Sequence, residues 1–257
     1  MKKIHFIFDK TIKSQKLKKI FFKKNKNIPV KKSKIIVVGG GDGFMLRTMK
    51  KYYKFRKPFY GINCGSIGFL MNRYNIKNFK KKIEKAKVTT IYPLQVLITN
   101  IQNKKSSFLA INELSLLRQS KQTAFLKLKV NNKFLIKKLV GDGVLISTPA
   151  GSTAYNLSVY GPILSLNSKK LAITPISPFR PRRWKGKIIS DKKKIFIQNI
   201  DPKKRPISGV IDNNEIRNVK LAKVKINKKI KLKILFNSNE SLLKKISLEQ
   251  KKRSNIY

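Results

Sequence analysis

Two glycine-rich turns about a hundred residues apart constrain this chain more than any other feature: Gly39-Gly40-Gly41-Asp42-Gly43 and Gly141-Asp142-Gly143. Each sets a carboxylate among residues with almost no side chain, where backbone N–H groups can approach a phosphate or a sugar closely. The combination points to a nucleotide site. The first turn follows Lys34-Ile35-Ile36-Val37-Val38, a β-branched run of the kind a buried strand shows, and precedes Phe44 to Met49, which reads as helix. A strand-to-turn-to-helix passage puts Asp42 at the carboxyl end of a sheet, where α/β folds bind ligands. A tight turn ending a strand also needs glycine without any ligand, so the cluster alone leaves both readings open. It is neither a Walker loop nor the GxGxxG dinucleotide fingerprint.

At 257 residues the chain can bury a sizeable core as one large domain or two small ones. Its 61 Lys and Arg against 11 Asp and Glu give a net charge of +50, a field that attracts polyanions. The basic residues are spread through nearly every segment, chiefly as lysine, and no zinc-finger, RNP or helix-turn-helix signature accompanies them. We therefore expect no specific nucleic-acid partner. Cys64 is the only cysteine, which rules out an intramolecular disulfide and fits a reducing, cytoplasmic setting. The opening Met1 to Asp9 is charged at its start but lacks the apolar core of a signal peptide, and no stretch approaches the roughly 20 apolar residues of a membrane span.

Up to about Tyr92 strands and helices alternate: strand near 3–8, helix near 11–23, strand near 34–39, helix near 43–53, strand near 58–63 and helix near 76–86. This βαβαβα order implies a parallel sheet covered by helices. After Pro93 short strand-like runs follow, at 94–99, 107–111, 125–130, 143–147, 193–199 and 230–236, so this half reads as mostly β. From Asn239 to about Lys252 helical spacing returns. The reading is thus an α/β domain over 1–93, a β-rich domain over 94–236, and a C-terminal helix within 237–257 packing back on the first.

Two further elements carry chemistry. Gly61-Ile62-Asn63-Cys64-Gly65-Ser66-Ile67-Gly68-Phe69-Leu70 lies at a strand end, where Phe69 is either a core residue or a platform for a flat base. Asn112-Glu113 follows the strand ending at Ile111 and pairs an amide with a carboxylate, able to hold ribose hydroxyls or a base edge, or simply to make a turn. In this order the four elements resemble the NAD kinase family over most of the chain. The residues that carry the resemblance stand at 40–43, 61–70, 112–113 and 141–155, ending in Ser147-Thr148-Pro149-Ala150-Gly151-Ser152-Thr153-Ala154-Tyr155. Thr174-Pro175-Ile176 and the residues to Trp184 look like the variant found in alphaproteobacterial members.

The resemblance implies a two-domain kinase of the NAD kinase/diacylglycerol kinase type, with a Rossmann-like parallel sheet and a β-rich NAD-binding domain. It implies phosphoryl transfer from ATP or polyphosphate, with a divalent metal such as Mg²⁺, to the 2′-hydroxyl of the adenosine ribose of NAD. By the residue match, Asp42 is the proton acceptor, Gly43 meets the dinucleotide through its backbone, and Arg47 reaches its phosphates. Phe69 packs near the adenine, Asn112 and Glu113 hold ribose or base, and Asp142 binds the nicotinamide end. Ala150, Thr153, Ala154, Tyr155, Asn156, Leu157 and Ser158 line the adenine pocket. No metal-ligating residue is assigned, and a homodimer or homotetramer is expected. Phe44 replaces the usual threonine of the first motif, and Asp212-Asn213-Asn214 stands where relatives have Asp-Gly-Gln or Asp-Ser-Gln, leaving Asn214 with a shorter amide arm. The alternatives are a diacylglycerol- or sphingosine-type lipid kinase, whose Gly-Thr-x-Asn-Asp segment this chain lacks, and a basic nucleic-acid-binding protein. His5, the only histidine, makes a histidine-based mechanism improbable.

Overall fold

The computed structural model describes residues 3–65, 68–73, 78–238 and 245. The chain divides into two compact units, one formed by Met1–Ile91 with Lys231–Tyr257 and the other by Tyr92–Ile230.

The first unit opens with β1 (Ile4–Phe8), α1 (Ile12–Lys24), β2 (Ile35–Gly40), α2 (Asp42–Tyr52), β3 (Phe59–Asn63), α3 (Phe79–Lys85) and β4 (Lys87–Ile91). Strand β2 is buried along its whole length, as its Ile-Ile-Val-Val run requires of a strand covered on both faces. It pairs in parallel with β1 and β3, bringing Phe6, Val37 and Tyr60 abreast. Helix α1 turns Ser14, Leu17 and Phe21 inward at helical spacing, and the Ser14 hydroxyl donates to the Gly39 carbonyl at 2.8 Å. Helix α2 buries Met45, Leu46, Thr48 and Met49. Phe6, Leu17, Phe21, Val37, Tyr60 and Ile62 share one core with Leu235, each large side chain worth about 1.5–3 kcal/mol on burial.

The second unit is built from β5 (Leu94–Asn100), β6 (Lys105–Ala110), β7 (Glu113–Arg118), β8 (Ala124–Val130), β9 (Lys133–Gly141), β10 (Gly143–Ser147), α4 (Tyr155–Ser158) and β11 (Lys170–Ile176). It continues through β12 (Lys187–Ser190), β13 (Ile195–Asn199), β14 (Ile207–Ile211), β15 (Asn214–Ile216) and β16 (Val219–Ile226). One six-stranded sheet runs β12-β11-β10-β7-β14-β15 and the other β6-β5-β16-β13-β8-β9, every pairing antiparallel. Alternate residues such as Leu94, Val96 and Ile98 face a single apolar core that also takes Leu114, Leu116, Val144 and Ile146 from the other sheet. This is a sandwich.

Three expectations change. The last strand, β17 (Leu232–Phe236), does not close the β-rich half: it pairs in parallel with β3 and antiparallel with β4, giving the first sheet the order β1-β2-β3-β17-β4. Its apolar Leu-Lys-Ile-Leu-Phe run suits the interior of either sheet, so only the pairing decides. The first glycine cluster is not a five-residue turn, because Gly39 and Gly40 lie in β2 and Gly41 alone caps the helix that begins at Asp42. The strand read over 107–111 ends at Ala110, and Glu113 opens the central strand β7. Residues 74–77 at the start of the helix expected near 76–86, and nearly all of the expected C-terminal helix, lie outside the described residues. Asn237 and Ser238 are not helical, whereas Lys245 is.

Candidate active site

Asp42 is the first residue of α2, at the carboxyl edge of the parallel strands, where the helix dipole favours an anion. Its carboxylate accepts the N–H of Phe69 on Oδ2 at 2.7 Å and that of Leu70 on Oδ1 at 3.0 Å. A Cβ on Gly68 would lie 2.9 Å from Oδ1, so glycine there leaves room for the carboxylate. Burial raises the Asp42 pKa above the ordinary carboxylate value, and the two amides and the charge of Lys245 oppose that rise without cancelling it. Phe69 is half-buried and contributes its backbone to this arrangement.

Gly41 and Gly43 have open space where a Cβ would sit, and Gly41 has an extended backbone (φ −106°) that any residue adopts. Neither packing nor conformation demands glycine at these two positions. What the missing side chains leave is bare backbone at a helix N-terminus, the geometry that receives phosphate. Beside it lies a cleft of about 480 Å³ lined by Asp9, Thr11, Lys13, Gly41, Phe44, Arg47, Cys64 and Gly65. Arg47 is exposed, its guanidinium carbon 5.8 Å from the centre of the Phe44 ring. Lys13 is a second cation of the cleft that sequence reasoning missed, since one lysine among so many carries no signal.

In the second unit, Glu113 heads β7 opposite Ser147, the last residue of the adjacent β10. The Thr148 N–H donates to the Asn112 carbonyl at 2.9 Å and its hydroxyl to the Ile111 carbonyl at 2.7 Å, while Gly151 lies so close to the Asn112 backbone that no Cβ fits. The Asn112-Glu113 pair and the Thr148–Thr153 loop are therefore one structure. The carboxylate of Asp212, the φ +51° residue of the β14–β15 turn, accepts the N–H groups of Ile111, Asn112 and Glu113 at 2.8–3.2 Å. Sequence reasoning passed over Asp212 in favour of its neighbour Asn214, which is exposed on β15. The side-chain oxygen of Asn112 is buried and has no hydrogen-bond partner among the described residues.

Ala150 and Thr153 are buried, Ala154 and Leu157 half-buried, and Tyr155 and Ser158 exposed. Burial, followed by the charges of Asp142 and Glu113, raises the Tyr155 pKa. Asn156 is fully buried, and its amide is consumed internally: it donates to the carbonyls of Ser152 and Pro162 and accepts the Thr174 hydroxyl at 2.7 Å. Its side chain braces the loop from within. Asp142 lies at the other end of the β7–β10 pair, where Gly143 faces Leu117, about 14 Å from the Glu113 end at roughly 3.4 Å per residue. Arg118 donates from Nε to its Oδ1 at 2.6 Å, with both side chains 35% exposed.

In the first unit a helix N-terminus presents bare backbone beside a held carboxylate, and in the second a loop braces an acceptor that has no partner among the described residues beside another carboxylate; each is a feature that nucleotide-dependent phosphotransferases use. Residues 111–242 match the family model of the ATP-NAD kinase C-terminal domain. The NAD kinase of Zymomonas mobilis is 42% identical over 242 residues, 93% of this chain and 94% of that one. The NAD kinase of Brucella suis is 40% identical over 247 residues, 96% of each chain. The chain belongs to the NAD kinase family. Two solved structures share the fold. One is an NAD kinase from Archaeoglobus fulgidus in complex with ATP, with a TM-score of 0.73 at 21% identity over 93% of this chain and 94% of that one. The other is yeast NADH kinase complexed with NADH, with a TM-score of 0.74 at 23% identity over 86% of this chain and 68% of that one. Family membership sets aside the lipid-kinase and nucleic-acid readings.

Proposed function

We propose that this chain transfers a phosphoryl group from ATP to the 2′-hydroxyl of the adenosine ribose of NAD, forming NADP. The observation that carries this reading, beside the family match, is the setting of Asp42. Its carboxylate stands at a helix N-terminus, is gripped by two amides, and has a pKa raised by burial toward the range useful for proton transfer.

Phosphoryl transfer depends on positioning and charge neutralisation, with a base near the attacking oxygen. Asp42 accepts the 2′-hydroxyl proton as the bond to phosphorus forms. The Gly41-Gly43 backbone and Arg47, joined by Lys13 across the cleft, offset phosphate charge. Asn112, through its unmet oxygen, accepts a hydrogen bond from a ribose hydroxyl or a base amino group, with Glu113 beside it. By the family resemblance, Ala150, Thr153 and the loop to Ser158 are assigned to the adenine, and Phe69 and Asn214 to an aromatic and an amide contact with the ligand. Asp142, steadied by Arg118, receives the nicotinamide end.

No group of three or more His, Cys, Asp or Glu able to hold a metal occurs among the described residues. Magnesium is taken to enter with the donor as MgATP, its usual manner of binding. Polyphosphate is the second donor to be tried. A cytoplasmic location and assembly as a homodimer or homotetramer complete the proposal. Among the described residues no helix is long and apolar enough to cross a membrane.

The deciding experiment incubates the purified protein with NAD, Mg²⁺ and either ATP or polyphosphate, and reads NADP through an NADP-specific dehydrogenase. NADP with ATP is the expected result. Absence of NADP from a folded protein that binds NAD rejects the proposal.

A further inference from the structure

Lys245 is a buried ammonium, 9% exposed, that no step above employs. Lysine is almost never buried without partners, because removing an ammonium from water costs several kcal/mol. Its Nζ donates to the carbonyl of Phe69 at 3.2 Å and to that of Met71, and lies 4.9 Å from the centre of the Phe236 ring. The segment it binds is the one that grips the proposed base. The peptide group joining Phe69 to Leu70 donates its N–H, that of Leu70, to the Asp42 carboxylate and offers its C=O, that of Phe69, to Lys245. Anion and cation thus occupy the two ends of one peptide dipole, an arrangement in which each hydrogen bond strengthens the other.

We infer that Lys245 is a positioning residue for Asp42: it fixes the Phe69–Met71 backbone, so that the Phe69 and Leu70 amides hold the carboxylate, and its charge favours the ionised base. The inference rests on Asp42 being the proton acceptor. Both amides and Lys245 oppose the rise that burial imposes on the Asp42 pKa. Among the described residues, Arg47 lies exposed further along α2, and Asp9 follows β1 with its Oδ2 2.8 Å from where a Cβ on Gly40 would be. Neither contacts the 68–71 segment through a described hydrogen bond.

The test measures kcat and both KM values across pH for the parent, Lys245→Met and Lys245→Arg, with thermal unfolding and NAD binding as controls. Lys245→Met is expected to lower kcat about tenfold through misplacement of the base. It should also move the acid limb of kcat to higher pH and leave both KM values within about twofold. Lys245→Arg should recover most of kcat. A parental kcat and acid limb in Lys245→Met overturns the inference, and so does an equal loss in both variants accompanied by a lower Tm, which is the mark of packing alone. If Lys245→Met does not fold, Lys245→Gln, which keeps a donor without the charge, takes its place, and a parental acid limb there is equally fatal. Asp42→Asn separates the two failures. Parental kcat in Asp42→Asn overturns the proton-acceptor role itself, whereas a silent Lys245→Met beside an inactive Asp42→Asn overturns only the part given to Lys245.

Discussion

At Gly41-Asp42-Gly43 the chain passes from a parallel strand into a helix, whereas at Gly141-Asp142-Gly143 it leaves β9 of one antiparallel sheet and enters β10 of the other. The flanking glycines of the first tripeptide touch nothing where a side chain would be. Those of the second are packed against backbone: a Cβ on Gly141 would meet the Ser177 carbonyl at 2.9 Å, and one on Gly143 would overlap the Leu116 carbonyl. The carboxylates differ in the same sense. Asp42 is held by amides in a desolvated place that raises its pKa, while Asp142 shares a half-exposed ion pair with Arg118. Identical spelling thus serves two ends. In the first tripeptide glycine keeps space clear around a held carboxylate, and in the second it lets two sheets meet.

Substitutions can break that contrast. The largest structural effect is expected from Gly143→Ala, where backbone must shift to admit the methyl, at a cost of about 1–3 kcal/mol in chemical denaturation. Equal stability of this variant and the parent would remove the steric half of the comparison. Next, Arg118→Ala should raise KM for NAD about tenfold while changing stability by less than about 1 kcal/mol, as befits a half-exposed pair whose work is to orient Asp142. Gly43→Ala should leave the fold unharmed, or steadier by up to about 1 kcal/mol because alanine favours the helix. Its KM values should nonetheless rise.

The pH dependence sharpens the same contrast. Because burial raises the Asp42 pKa in the folded chain, kcat is expected to fall as the pH drops, with its acid limb at higher pH than an ordinary aspartate would give. The sign for stability is opposite. A raised folded pKa makes the Asp42 contribution fully present below its unfolded pKa and lost as the pH rises through the folded value.

Much of this was legible in the sequence because glycines, aspartates and β-branched runs act locally. The alternation of strand and helix up to Ile91 needs only neighbours to be read, and the four motifs stand in an order that resembles one family. Strands such as β9 and β16 were hidden because lysines on their exposed face disguise the alternation, as in Val219-Lys220-Leu221-Ala222-Lys223-Val224. The parts that escaped are those made by distant partners. Asp212 meets Asn112 and Lys245 meets Phe69 across about a hundred residues or more of chain, and no local pattern marks either. The internal bonds of Asn156 were out of reach for a related reason, since only the fold brings Thr174 and Pro162 to its amide.

The most direct measurement makes the same change in both tripeptides, Asp42→Asn and Asp142→Asn, and follows NADP formation with MgATP alongside NAD binding. Asp42→Asn is expected to lower kcat by about 10²–10⁴-fold while NAD still binds. Asp142→Asn should raise KM for NAD and leave kcat close to that of the parent. Parental kcat in Asp42→Asn would contradict the account at its centre.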